Sequence, residues 1–477
     1  MNTEQHPKLF FDISALLDHV ELRSQFSGIQ RVVAMVPKAV ATHIPIENIY
    51  VSYLDNFNDS YMCLPLSQLG PDTLNDAPLL KILLGPGTAH KHSNSITRKY
   101  RNRRLKLRYN TIRLHLSTLF GNDKPFERIG TTRPEWEQYR KKNSLLFPPQ
   151  FTRDHQGSLR SKGLKFADVV GPGDHFFQID STWGKHVWKE FANIKKMGVT
   201  FHTWVYDLIP IVMPEATSGK QKFFKQFKKW LLRSTKYTDN YISISDATKR
   251  DLDSFLKENN VERSSRVARL AQEGWKGRKS DAPPAPVGDV SAEVAEVCAG
   301  PFVLCVGTIE VRKNIARLAR AWQVLAERMP GKVPTLVFAG LRGWHREEWD
   351  AFLEETNNVN GLVKVIDGPT DAELDAMYRS CTFFTMVSIY EGWGLPVGEA
   401  LSYGKTGVVA DATSLPEVGG DLVQYCDPYS VDSIADACAQ MITDDAGRHQ
   451  LEAKIATTKL RGWDDVGRDV LKAIGQA

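Results

Sequence analysis

Cys381-Thr-Phe-Phe-Thr-Met-Val-Ser-Ile-Tyr-Glu-Gly-Trp-Gly-Leu-Pro-Val-Gly-Glu-Ala-Leu-Ser-Tyr-Gly404 reads as a strand, a glycine-rich loop and a helix in succession. Its first seven residues are short, apolar and β-prone, the pattern of a buried strand. Proline suits the first position of a helix, so the chain should turn through Gly392 and Gly394 into a helix near Pro396. Glu391 then falls on the loop and Glu399 in the first helical turn, both beyond the carboxyl end of a strand. Ligands bind at that end of open α/β sheets. Free amides of the loop and helix start can hold an anion, while the glutamates accept hydrogen bonds from hydroxyls. A nucleotide sugar needs that pairing.

The rest of the chain repeats the alternation. Leu9-Phe-Phe-Asp-Ile is a first strand, and Ser27-Gly-Ile-Gln-Arg-Val-Val a glycine turn opening a helix. Strand-like runs recur at 49–54, 169–170 with 175–179, 199–208 and 241–245, with helical runs such as 223–236 between them. Strands alternating with helices predict a parallel, doubly wound sheet. Asp281-Ala-Pro-Pro-Ala-Pro-Val-Gly is rich in proline, without apolar period, and reads as a linker. After it the alternation restarts: strands at 302–307, 335–339, 363–366, 383–387 and 407–410, and helices at 315–329, 372–380 and 396–403. The expected organisation is an N-terminal Rossmann-like domain over 1–280 with an insertion at about 86–150, and a linker over 281–297. A C-terminal Rossmann-like domain follows over 298–460, and 461–477 form a helix that packs back on the N-terminal domain.

A chain of 477 residues can bury more than one core. Its six cysteines are scattered, without a C-x-x-C pair or histidines at zinc spacing, as expected of reduced thiols in a cytoplasmic protein. The first residues lack the design of a signal peptide, and no 18-residue apolar run appears. The net charge is +5, unevenly spread: between Asp76 and Asp123 there are ten Lys and Arg residues and no Asp or Glu.

Glu391 and Glu399 at this spacing, followed by Ser414-Leu-Pro-Glu-Val-Gly-Gly-Asp421, resemble the retaining glycosyltransferases of family 4. The resemblance runs almost continuously from Val303 to Asp427 and is patchier before it. It implies α/β architecture of the GT-B kind, two Rossmann-like domains facing across a cleft. It also implies that Glu391 contacts the donor hexose, Glu399 holds the ribose, and Gly392, Trp393, Gly394 and Leu395 line the donor site. The reaction implied is a front-side transfer without a protein nucleophile, in which the leaving diphosphate helps take the acceptor proton.

Val306-Gly-Thr-Ile-Glu-Val-Arg-Lys-Asn314 links the first C-domain strand to its helix. Arg312 and Lys313 should project into the cleft, where fixed cations neutralise a leaving diphosphate. A cation is unfavourable beside a helix start unless an anion joins it. The resemblance gives this role to Lys313 first. Many relatives carry a further arginine where this chain has Thr308, and Arg312 would be the residue to supply that charge. Gly28 and Arg31 lie in what resembles the family's N-terminal phosphate loop, though a ligand-free turn has the same residues. Val205-Tyr-Asp-Leu-Ile-Pro210 ends a long strand. Relatives often have histidine-aspartate here, contacting the reacting sugar, where this chain has Tyr206-Asp207. His202 lies four residues earlier, and Tyr206 can donate a hydrogen bond or simply pack. Trp344 either stacks on a ligand or packs.

No metal site is expected. Asp251-Leu-Asp253 is the single Asp-x-Asp, and residues two apart on a helix point in different directions, so the pair reads as a solvated face. No cofactor is expected either. The donor would be a nucleotide diphosphate sugar, GDP-linked favoured, because the Gly-Ile-Gln-Arg and Tyr-Asp-Leu-Ile-Pro segments look most like bacterial mannosyl- and rhamnosyltransferases of surface-polysaccharide assembly. The acceptor would be a saccharide or lipid-linked saccharide. The basic, amphipathic run over 90–120 suits an anionic membrane surface or a partner, without any nucleic-acid motif. Lys220–Arg233 is a second basic, aromatic helix that either shares that surface or packs on the sheet. Two other readings of the same features are a nucleotide-sugar epimerase or hydrolase, and a non-catalytic nucleotide-sugar-binding scaffold.

Overall fold

The computed structural model describes residues 6–22, 26–55, 60–84, 114, 117, 162–183, 187–216, 221–274, 290–343 and 345–476. Residues 281–289 of the expected linker, Trp344 and, apart from Leu114 and Ser117, the basic run over 90–120 lie outside them. The last part of that expected linker is instead the helix Ala292–Cys298, capped by Ser291.

The first sheet holds eight strands: β1 Leu9–Asp12, β2 Ile49–Asp55, β3 Ser60–Pro65, β4 Leu164–Lys165, β5 His175–Gln178, β6 Thr200–Val205, β7 Asn240–Ser243 and β8 Ser264–Val267. Their order is β4-β3-β2-β1-β5-β6-β7-β8. The second sheet holds β9 Phe302–Val306, β10 Thr335–Gly340, β11 Val363–Asp367, β12 Phe383–Met386, β13 Gly407–Ala410 and β14 Gln424–Cys426, in the order β11-β10-β9-β12-β13-β14. The alternating pattern therefore builds two doubly wound sheets, as the reading from sequence expects. The first is not wholly parallel. β3 runs antiparallel to β2 and β4 antiparallel to β3, a hairpin edge absent from the predicted strands. Val169, read as strand, ends the one-turn helix Phe166–Val169 instead, with Phe166 buried in the core.

In both sheets the strand order reverses beside the first strand of the domain, at β1/β5 and at β9/β12. Loops leaving the carboxyl ends of adjacent strands diverge there and leave a crevice. Phe383 of β12 sits opposite Val303 of β9. The loops 307–314 and 388–394 thus start side by side.

One apolar cluster runs from the first sheet into the second domain. It joins Phe11, Val33, Trp204 and Ala271 with Trp393, Val397, Ala400 and Val466. Part of that continuity comes from the last helix, Trp463–Ala473, which lies against the helix Gly28–Val40. Gly467 lets the two backbones touch: a Cβ there would stand 2.2 Å from the Ala39 carbonyl oxygen. Gly467→Ala should therefore force the helices apart and destabilise the fold by about 1–3 kcal/mol, the cost of overpacking a close contact. Urea unfolding followed by tryptophan fluorescence checks this. An unchanged midpoint would mean that the C-terminal helix is not tightly docked.

Candidate functional site

Glu391 leaves the end of β12 on the loop predicted for it, and the chain enters the helix Leu395–Ser402 through Gly394, which is left-handed at φ 110. Because the helix starts at Leu395, Glu399 falls in its second turn and not the first. The loop is held from below by Ser414, whose hydroxyl donates to the carbonyls of Glu391 at 2.9 Å and Trp393 at 2.8 Å. The Glu391 amide donates to Thr413 Oγ1 at 3.0 Å. Asn314, left-handed at φ 61, closes the neighbouring loop by donating from Nδ2 to the carbonyls of Val387 and Pro428.

The two loops meet at one cluster of charges. Glu391 is buried, with Oε2 2.7 Å from Arg312 Nη1 and Oε1 2.7 Å from Lys313 Nζ. Burial alone would raise its carboxyl, but the two cations beside it bring it down to about 2. Arg312 also donates to the Tyr390 carbonyl at 2.7 Å and to Glu310 Oε1 from Nε and Nη2 at 3.1 and 2.9 Å. Burial works against its charge, yet Glu391 and Glu310 hold its proton more firmly than usual. Arg312 and Lys313 are thus brought to the crevice as expected, but each is engaged by a carboxylate of its own domain. Glu310 is the member that sequence reasoning missed. Its one visible signal was an acidic residue two positions before a basic pair.

Across the crevice stands Asp207, beyond the end of β6. Burial pushes its carboxyl up to about 6, with Arg312 and the Ile209 amide pulling it down and Glu391 and Glu310 pushing it up. Ile209 N–H donates to Asp207 Oδ1 at 3.0 Å. Tyr206 does not offer its hydroxyl to this space, because the buried phenol donates to the Ile179 carbonyl at 2.8 Å. His202 is not in the site either. It lies within β6, buried, 2.9 Å from His175 Nδ1 and stacked on Phe177, and burial drives its pKa down to about 3. Asp251 and Asp253 are not a solvated face: both are half-buried, Asp251 accepting the Tyr390 hydroxyl and Asp253 paired with Lys249. Among the described residues no group of three or more His, Cys, Asp and Glu stands at metal-holding distance.

The remaining predicted residues divide between cleft and contact. Thr308 is exposed at the mouth of the loop after β9. Arg31, on the helix that Gly28 opens, reaches Glu399 Oε1 at 2.7 Å, while Tyr378 donates to Glu399 Oε2 at 3.0 Å. Gly28 packs toward Leu395, 3.3 Å from a Cβ built on it. Trp393 is buried and donates from Nε1 to the Ala271 carbonyl at 3.0 Å, so its indole joins the domains. Gly392 is needed for that approach, since a Cβ there would lie 2.1 Å from the Tyr206 carbonyl oxygen. Glu417, from the second cluster of the resemblance, accepts the amides of Asp246 and Ala247 at 2.8 Å each. It thereby caps the N-terminus of the helix Asp246–Glu258 from the opposite domain.

Residues 293–457 match the family model described as glycosyl transferases group 1. The chain is 34% identical over 174 residues to the O-antigen chain mannosyltransferase B of Escherichia coli, covering 36% of this chain and 45% of that protein. It is 32% identical over 153 residues to the Escherichia coli serotype-specific mannosyltransferase WbdA, covering 32% of this chain and 19% of that protein. The chain thus spans less than half the length of these curated relatives. Among solved structures, Anabaena HepE, crystallised with UDP, superposes with a TM-score of 0.54 at 11% identity, over 99% of this chain and 100% of that one. A glycosyltransferase from Rickettsia africae superposes with a TM-score of 0.52 at 11% identity, over 98% and 97%. Two Rossmann-like sheets meeting at their switch points, the superposition over nearly the whole chain and the family match lead to one conclusion. The chain has the GT-B fold, and its second domain carries a stretch, residues 293–457, similar to the glycosyl transferases group 1 model.

Proposed function

We propose that the protein is a retaining hexosyltransferase of bacterial polysaccharide assembly. It moves a mannose- or rhamnose-type hexose from a nucleotide diphosphate sugar, GDP-linked favoured, to a saccharide or lipid-linked saccharide acceptor. The observation that carries this is the buried Glu391 between Arg312 and Lys313 at the switch point of one sheet, faced by Asp207 from the other. The names of the curated relatives agree with it. In this reading Lys313 and Arg312 meet the diphosphate, whose charge grows as the glycosidic bond breaks. Glu391 orients the hexose, Glu399 the ribose, and Asp207 accepts a hydroxyl of the reacting sugar. Transfer needs no divalent ion, because the two cations supply the positive charge. The protein works in the cytoplasm and meets lipid-linked acceptors at an anionic membrane surface. Lys225, Lys229 and Arg233 stand exposed on the helix Gln221–Ser234, while Phe227, Trp230 and Leu231 pack into the core. Among the described residues no helix is long and apolar enough to cross a membrane.

The test is a thermal-shift series with GDP, UDP, ADP and dTDP, followed by turnover with the matching hexose donors in EDTA. A ligand at 100 times its Kd adds about 2.7 kcal/mol, a shift easily read. Transfer to a saccharide that persists in EDTA is expected. Release of free sugar without transfer, a strict need for added metal, or no turnover with any donor would each reject the reading.

Asp207 supplies a pH signature. A carboxylate must be ionised to accept a sugar hydroxyl, and this one sits near 6, above the ordinary aspartate range. kcat/KM should therefore rise as pH rises through about 6, and Asp207→Asn should flatten that limb. A limb unchanged in Asp207→Asn would assign the titration to another group.

A further inference from the structure

We infer that Glu310 is a positioning residue for sugar transfer, clamping the Arg312 guanidinium so that Arg312 in turn fixes the Glu391 carboxylate beside Lys313. The inference rests on the transferase reading above and adds a residue to its site.

Arginine presents its donors in a rigid planar fork, so gripping one edge determines where the other edge points. Glu310 Oε1 takes the Nε and Nη2 hydrogens of that fork at 3.1 and 2.9 Å. The remaining Nη1 then reaches the Tyr390 carbonyl at 2.7 Å and Glu391 Oε2 at 2.7 Å. The guanidinium is therefore held at both edges between the loop after β9 and the loop after β12. Glu310 itself cannot swing away, being only 6% exposed, and it precedes the 3-10 turn Val311–Lys313 that carries both cations. Charge-assisted contacts of this kind are stronger than neutral ones and more demanding in geometry. Charge balance points the same way. Arg312, mostly enclosed, lies between two buried carboxylates, Glu310 and Glu391, so its charge is not balanced by Glu391 alone, which also serves Lys313. Glu310 reaches the reacting groups through Arg312, which is why its role is positional.

The experiment compares Glu310→Ala, Glu310→Gln and the wild type in two readouts. The first is donor turnover, separated into kcat and KM. The second needs no activity: hydrogen exchange of the Arg312 Nε–H in protein labelled with 15Nε-arginine, assigned with Arg312→Lys. Glutamine keeps a carbonyl oxygen where Oε1 stood and removes the charge. Glu310→Ala should lose the protected Nε–H signal and lower kcat by about 100-fold, as a shift of roughly 1 Å in a catalytic group does, with donor KM little changed. Glu310→Gln should keep the protected signal and recover most of kcat. The role is overturned if Glu310→Ala retains both signal and kcat, or if a folded Glu310→Gln is as damaged as the alanine variant. Should Glu310→Ala fail to fold, Glu310→Gln decides: retained protection with near-normal kcat supports the clamp, and lost protection with kcat unchanged rejects it. A wild type that transfers no hexose overturns the transferase reading and the role with it. An active wild type with an undiminished Glu310→Ala overturns the role alone.

Discussion

Glu391→Ala should abolish sugar transfer while leaving the protein's grip on a nucleoside diphosphate as tight as before, or tighter. This one carboxylate stands 2.7 Å from each of the two cations of the site. A diphosphate arriving at Arg312 and Lys313 must share them with Glu391. Removing the carboxylate frees both cations for the ligand but takes away the group that orients the hexose. Loss of a charged contact of this kind typically costs 2–5 kcal/mol, so transfer should fall by roughly 30- to 5,000-fold. Without nucleotide the variant should also be less stable by about 3 kcal/mol, because Lys313 loses its carboxylate partner and Arg312 keeps only Glu310. Added nucleoside diphosphate should restore much of that loss, giving a larger Tm increment than in the wild type. Calorimetric titration with the nucleoside diphosphate and a thermal-shift series measure both effects. Nucleotide affinity that collapses together with transfer would make Glu391 part of the nucleotide's own binding set and reject the counter-ion role.

Much of this arrangement was legible because it depends on local pattern. The run Cys381–Gly404 announces a strand by its apolar β-prone residues, a loop by Gly392 and Gly394, and a helix by Pro396, and each follows from backbone preference near one position. Glu399 was placed one turn early because the proline occupies the second helical position, after Leu395. The antiparallel edge formed by β3 and β4 was less visible. β4 is two residues long and separated from β3 by about a hundred residues, so only long-range pairing makes it a strand. Side-chain direction was the hardest part. Tyr206 and His202 both carry groups able to meet a sugar, yet one phenol is bound to the Ile179 carbonyl and the imidazole to His175. No periodicity encodes those partners. Glu310 was passed over for the complementary reason. Its value comes through Arg312 from the Tyr390 carbonyl and Glu391, which the β9–β12 pairing brings alongside although Tyr390 lies 78 residues from Arg312.

Lys313→Ala should also destroy transfer, but with the opposite effect on the nucleotide. Lys313 stands at the carboxyl end of β9 with its stem folded over Gly307, so close that a Cβ on that glycine would lie 3.0 Å from Lys313 Cε. The packing holds Nζ over the loop instead of letting the long side chain sweep through solvent. Among the described residues its ammonium makes a single ion pair, to Glu391, and an ammonium carries three hydrogens, enough to reach a phosphate as well. Arg312, by contrast, is engaged along both edges of its guanidinium. Lys313 is therefore the cation better able to follow charge onto the leaving diphosphate. Truncating it should lower kcat/KM by roughly 30- to 5,000-fold and weaken nucleoside diphosphate binding in the same experiment. Fold should survive, since Glu391 keeps Arg312 as its partner. Lys313→Arg should rescue poorly, because a planar fork cannot take the place of a compact ammonium packed over Gly307. Kinetics with the hexose donor and calorimetry with the nucleoside diphosphate make the comparison. Wild-type nucleotide affinity in Lys313→Ala would transfer the phosphate role to Arg312, and full rescue by arginine would show that charge alone, without the packed geometry, is what the reaction requires.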